Sequence, residues 1–137
     1  MTSPLQEPTF LVLTALASGP LHGYGVIQEV AALSEGRVRL RPGTTYAALD
    51  RLGEQGLIDL DREEVVDGRL RRYYRLTDAG VHALENEVTR LRQIATAAAG
   101  RLRRRQVAPD GPLARLAANL APGGRLARLA RLAFGVR

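Results

Sequence analysis

RPGTTYAALDRLGEQGLI, residues 41–58, reads as a short helix with a hard stop at each end. Pro42-Gly43 opens it, because proline is tolerated in the first turn and its fixed φ suits a helix start. Gly56 fits the C-terminal cap, where the backbone turns left-handed. The spacing predicts a helix over Thr44–Gln55. Winding it at about 100° per residue puts Thr45, Ala48, Leu49 and Leu52 on one stripe. Thr44, Ala47, Asp50, Arg51 and Glu54 fall on or near the other side, with Tyr46 at the flank.

On the N-terminal side, FLVLTALA after Pro8-Thr9 reads as a short, almost wholly apolar helix. SGPLHG (18–23) is rich in breakers and reads as a turn. A second helix is expected over Tyr24–Leu33, with Val26, Ile27, Val30 and Leu33 on one face and Gly36 ending it. VRL (38–40) is compatible with a very short strand. On the C-terminal side, LIDLDREEVV (57–66) and RRYYRL (71–76) read as two strands around an Asp-Gly hairpin turn. Thr77 sits where a helix N-cap belongs, with Asp78 in the favourable first turn.

The fourth helix is expected from about Asp78 to Arg105. Val81, Leu84, Val88, Leu91, Ala95, Ala98 and Leu102 are spaced alternately three and four apart, a heptad seam of about three heptads. A helix of roughly 40 Å cannot bury such a seam on a small domain alone. The seam calls for a partner, most simply the same helix of a second subunit; the alternative is packing on the chain's own first helix. The domain division is therefore 1–77, a reading domain; 78–105, a dimerisation helix; and 106–137, a basic Arg/Leu/Ala-rich extension. That extension, with its Arg-Leu-Ala triplets, fits a weakly docked tail, a short helix, a phosphate binder or a membrane-surface element.

Composition narrows the function. The chain has 137 residues, no cysteine and two isolated histidines, His22 and His82. Disulfides, thiolate metal sites and cysteine nucleophiles are excluded. No catalytic pair, Gly-rich phosphate loop or metal-ligand spacing is present, so neither catalysis nor a metal or other cofactor is expected. FLVLTALASG lacks a preceding positive region and is no signal peptide. No apolar run approaches the roughly 20 residues of a bilayer span, so a membrane role is not expected and a cytoplasmic protein is. The net charge of +6 is uneven: residues 1–100 hold 11 arginines and 13 acids, residues 101–137 hold 9 arginines and 1 acid. A nucleic-acid surface within the first hundred residues is thus a local patch.

The order helix, helix, short strand, helix, hairpin, long helix is mainly α with a small β hairpin: a winged helix-turn-helix with a long C-terminal dimerisation helix. The major groove of duplex DNA is about 12 Å wide and admits one helix, N-terminal residues foremost. That accounts for a reading helix that is short, anchored by Leu49 and Leu52, and free at its tip. Thr44, Tyr46, Ala47 and Arg51 face out. Arg69, Arg71 and Arg72 cluster on the hairpin against Asp67 only, suited to phosphate or minor-groove contact. The acids Asp59, Asp61, Glu63 and Glu64 are then expected to lie away from DNA. Arg37, Arg39 and Arg41 extend the positive stripe. Asp50 is awkward there unless it neutralises an arginine or accepts from cytosine. Asp50 and Glu54 also support a rival reading, a winged-helix protein-interaction module with a membrane- or partner-binding basic tail.

LASGPLHGYGVIQEV (16–30), PGTTYAALDRLGEQGLI (42–58) and RRYYRLTDAG (71–80), in this order and spacing, resemble the PadR family of bacterial transcriptional regulators, over roughly the first 105 residues. The resemblance implies a dimer that represses from a near-palindromic operator and is released by a small hydrophobic or phenolic effector. It implies that His22, Gly23 and Tyr24 form a turn near the DNA backbone, that Thr44, Thr45 and Tyr46 begin the reading helix, and that Arg72 belongs to the wing. It further implies an effector pocket between first and fourth helices of the two subunits, lined by Phe10, Leu13, Leu84, Val88 and Leu91. The chain departs from the family pattern at Ala47, commonly proline, and at Asp50, commonly non-acidic.

Overall fold

The computed structural model describes residues 3–107 together with residues 112, 115, 116 and 118. The expected extension, 106–137, therefore lies almost wholly outside the described residues. The elements run α1 (Glu7–Ala17), β1 (Leu21–His22), α2 (Gly23–Leu33), α3 (Pro42–Glu54), β2 (Ile58–Val66), β3 (Arg69–Leu76) and α4 (Asp78–Val107). The described residues divide into two units after Arg90.

In the first unit, three helices meet over one apolar cluster. Helix α1 contributes Leu11, Val12, Leu13, Ala15 and Leu16, α2 contributes Val26 and Val30, and α3 contributes Leu49 and Leu52. The nearly continuous apolar run in α1 follows from its central place, since a helix buried on several sides has no polar stripe. Leu33, expected on the buried face of α2, is instead largely exposed. Helix α3 starts at Pro42, two residues before the expected Thr44, and ends at Glu54.

Strand order is β1-β3-β2, all antiparallel. The turn at Asp67 and Gly68 has positive φ at both residues, the geometry that matches strand twist in a two-residue hairpin. A bulge between Leu60 and Arg62 leaves Asp61 as the extra residue. The third strand is not VRL (38–40), which has no strand character. Ser34 explains why: its buried hydroxyl accepts from the Val38 amide at 2.9 Å and donates to the Val30 carbonyl at 2.8 Å. Val38 is thus tied to the end of α2, while it and Leu40 pack on the core. The free edge of β3 is taken instead by Leu21 and His22, pairing with Tyr74 and Tyr73.

The base of the hairpin is knotted to α3 and α4. Gly56 has φ +73° after α3, and the Leu57 amide returns to the Leu52 carbonyl. The Thr77 hydroxyl donates to the Gly56 carbonyl at 2.6 Å and accepts from the Gly80 amide at 3.0 Å, capping α4. Gly80 is buried against Leu57, where a Cβ would stand 2.0 Å from the Leu57 carbonyl oxygen. Further along α4, Leu84 packs on the core and Glu87 is buried. Glu87 accepts hydrogen bonds from Arg90 and, at 3.4 Å, from the Leu5 amide. These contacts explain why the first turns of α4 belong to the first unit.

Stability should respond to single changes at these positions. Gly80→Ala forces backbone to move and lowers stability by roughly 1–3 kcal/mol or more, read as the urea midpoint. Gly53→Ala, with nothing within 4 Å of the added Cβ, raises stability by about 0.5–1 kcal/mol. Hydrogen bonds from Arg90, joined by the Leu5 amide, outweigh burial and hold the Glu87 carboxyl below its ordinary 4.5. A carboxylate depressed on folding stabilises above that value, and the contribution is lost as pH falls through the folded-state pKa. Acidification below about 4.5 should therefore lower the midpoint less in Glu87→Gln than in the unaltered chain.

Candidate nucleic-acid interface

Helix α3 offers its first turns to solvent. Arg41, Pro42, Gly43, Thr44 and Ala47 are exposed, while Leu49 and Leu52 root the helix in the core. Thr45 is a correction to the expected reading residues. It is 0% exposed, and its hydroxyl donates to the Arg41 carbonyl at 2.8 Å. Its side chain helps fix the start of α3 and reads nothing outside. The hydroxyl-bearing end of the Tyr46 ring packs against Gly23, where a Cβ would come 2.8 Å from it, yet the residue is 51% exposed. It both packs α3 on α2 and presents an edge outward.

A cleft of about 380 Å³ runs between α3 and the wing, lined by His22, Gly23, Tyr46, Asp50, Leu70, Arg71, Arg72 and Tyr74. Of the expected site residues it brings together His22, Tyr46, Arg71 and Arg72. Tyr24 is exposed beside His22, their ring centroids 6.5 Å apart. Arg69 stands exposed at the hairpin tip. Arg51 does not join them. It shares the outward angle of Thr44 but sits two turns on, lining a different cleft with Leu5, Thr9, Gln55 and Leu57.

The wing is also less positive than its sequence reads. Glu63 stands directly across from Arg72 and pairs with it at 3.3 Å, so this acid shares the face of the arginine rather than lying away from it. Arg75 meets Asp59 at 3.6 Å. Arg62 binds Glu64 and Asp61 while stacking 4.0 Å above the Tyr73 ring. Arg69 and Arg71 form no ion pair among the described residues, although Glu64 stands across from Arg71. With five arginines against five acids, residues 58–76 carry no net charge, and these two guanidinium groups are the ones left open to a ligand. Gly23, expected in the turn near the backbone, proves also to be the bed of Tyr46. Sequence reasoning missed Tyr73, the ring on which His22 rests at 5.3 Å. Alternation along β3 held the signal for Leu70 and Tyr74, which share a strand face with Arg72.

Among the described residues, no cluster of His, Asp or Glu could hold a metal ion. No helix among them is long and apolar enough to cross a membrane. Along α4, Leu84 and Val88 are half-buried, whereas Val81, Leu91, Ala95, Ala98 and Leu102 are exposed. Of the expected effector-pocket residues, Leu13 is wholly buried in the core of the first unit and lines nothing. Phe10 is half-buried.

Residues 12–86 match the PadR-like family of transcriptional regulators. The chain belongs to that family. It is 40% identical over 84 residues to the transcriptional regulator Rv3488 of Mycobacterium tuberculosis, covering 61% of this chain and 75% of the relative. A PadR family regulator from Clostridium difficile has a similar structure, with TM-score 0.60, 25% identity, and coverage of 71% of this chain and 99% of that one. Bacillus subtilis PadR, solved in complex with operator DNA, shares the fold at 21% identity and TM-score 0.55, over 61% of this chain and 47% of that one. This PadR-like chain is thus a transcriptional regulator of winged-helix architecture, and its family is not one of enzymes.

Burial against neighbouring rings, then the positive charge of Arg71, holds the His22 imidazole below its ordinary 6.5. NMR titration should place His22 under that value. Arg71→Gln should move it part of the way back up, because burial against Tyr73 persists.

Proposed function

We propose that this PadR-like regulator is a repressor that binds a near-palindromic operator in double-stranded DNA as a homodimer, in the cytoplasm. One observation carries the reading: Tyr46, in the second turn of the free end of α3, and Arg71 of the wing border one cleft, and the two elements share one knotted base. The tip, with Arg41, Thr44 and the edge of Tyr46, enters the major groove. A threonine hydroxyl can meet a base or phosphate, and its methyl, like that of Ala47, can meet thymine. Arg69 and Arg71 take phosphates beside it, and Arg72 joins them once released from Glu63. His22 and Tyr24 lie close enough to the same cleft to border the DNA backbone. The relative solved on operator DNA supports this use of the fold.

The dimer reading rests on α4. Its exposed stripe of Val81, Leu91, Ala95, Ala98 and Leu102, continued by Leu84 and Val88, is apolar at heptad spacing. A second copy of the helix is the partner that best covers it. A small hydrophobic effector would enter near Phe10, Leu84, Val88 and Leu91, without Leu13, and weaken DNA binding by altering the packing of the two subunits.

Selection of bound sites from random duplex DNA should return half-sites about one helical turn, roughly 34–36 Å, apart. Thr44→Ala should cost about 1–3 kcal/mol of discrimination at one base position. Arg71→Ala should weaken all duplexes alike and reduce the salt slope by about 1. Failure to enrich any sequence, or sedimentation as single chains at working concentration, would remove the proposal.

A further inference from the structure

Charge is distributed against the grain of the reading above. The first unit, residues 1–90, carries 10 arginines and 13 acids. Three wing arginines, Arg62, Arg72 and Arg75, are already paired with carboxylates. Arg37 is paired with Glu7, and Arg90 with Glu87. In α4 beyond Glu87 there is no acid up to Val107, yet the helix carries Arg92, Arg101, Arg103, Arg104 and Arg105. All five are exposed, and none has a carboxylate partner among the described residues.

Helix electrostatics account for part of this cluster only. The negative end of a helix favours cations, but the effect fades within the last turn. Arg104 and Arg105 lie there; Arg101 and Arg103 do not. Arg101, Arg104 and Arg105 are three and four residues apart, so they share a face and repel one another. Leu102 beside them is 62% exposed. A concentrated, uncompensated charge of this kind is relieved by a polyanion. Duplex DNA, with a charge about every 1.7 Å along its axis, is the polyanion that a DNA-binding chain meets.

We infer that the arginine cluster at residues 101–105 of α4 is a second, sequence-independent binding site for the phosphate backbone of duplex DNA, and that it supplies much of the salt-dependent affinity that the net-negative first unit lacks. The first unit selects the sequence; the end of α4 holds the phosphates. The inference takes its choice of polyanion from the proposed DNA-binding function, but needs no operator.

The test uses the full chain with Arg101, Arg103, Arg104 and Arg105 all replaced by glutamine, which keeps helix propensity. A second variant carries lysine at the same four positions, preserving charge. Affinity is measured for a selected duplex and a scrambled one between about 50 and 200 mM salt. The glutamine variant should lose affinity for both duplexes by the same factor, about tenfold or more at the low-salt end. Its slope of log K against log salt should be shallower by about 0.9 for each phosphate that the protein no longer neutralises. Preference between the duplexes should persist, and the lysine variant should recover the slope.

A glutamine variant with unchanged slope overturns the inference. So does failure of lysine to rescue, which would make the loss structural. Loss of binding to vesicles containing phosphatidylglycerol, with an unaltered duplex slope, overturns it in favour of a membrane. If no sequence is ever selected but the scrambled duplex shows these slope changes, the operator reading fails while this inference stands.

Discussion

One hydroxyl and one missing methyl hold helix α3, the wing and the start of α4 in register. The Thr77 side chain ties the end of α3, through the Gly56 carbonyl, to the start of α4, through the Gly80 amide. Gly80 lets α4 press on the Leu57 carbonyl, at a distance where any Cβ would overlap it. Since β2 begins at Ile58 and β3 ends at Leu76, both ends of the wing are fixed at this joint. The wing cannot swing relative to α3 without breaking it. A cleft bordered by side chains from α3 and the hairpin therefore keeps its width, which is the requirement for two elements that must meet one duplex together.

Much of this was legible from local chemistry. The phase of α3 placed Leu49 and Leu52 inside and Thr44 and Ala47 outside, and Asp67-Gly68 announced the hairpin. Thr45 is instructive: helical phase put it on the buried stripe, whereas the family resemblance put it on the reading surface. The structure sides with phase. Arg51 shows the converse limit. Phase gives an angle around the axis but not a position along it, and two turns carry a residue about 11 Å from the tip.

The remaining misses have non-local causes. A two-residue strand has no periodicity, and Leu21–His22 exists because β3 has a free edge for it to take. VRL has strand-like composition, but the Ser34 side chain claims its backbone, a competition that no propensity records. The pairing of Glu63 with Arg72 was within reach, since a two-residue turn fixes register outward from Val66 and Arg69. The shift at Asp61 was not, because a bulge depends on how the strand must bend rather than on its own residues.

These pairings change what kind of binder the winged helix can be. With Glu63 on Arg72 and Asp59 on Arg75, a phosphate must compete for these guanidinium groups rather than find them free. Both pairs are largely exposed, where an ion pair is worth little, so the exchange is cheap but also gains little. In the proposed role, what distinguishes one duplex from another is then left to the tip, where beyond Arg41 the groups on offer are a hydroxyl, two methyl groups and the ring of Tyr46, with Asp50 one turn further on. Such a surface penalises the wrong base through unsatisfied polar groups and poorly matched methyl groups more than it attracts any DNA by charge. In the proposed role, a first unit with little general affinity adds little to binding at a wrong sequence, so the preference among duplexes stays with matched contacts at the tip while the end of α4 holds any duplex alike.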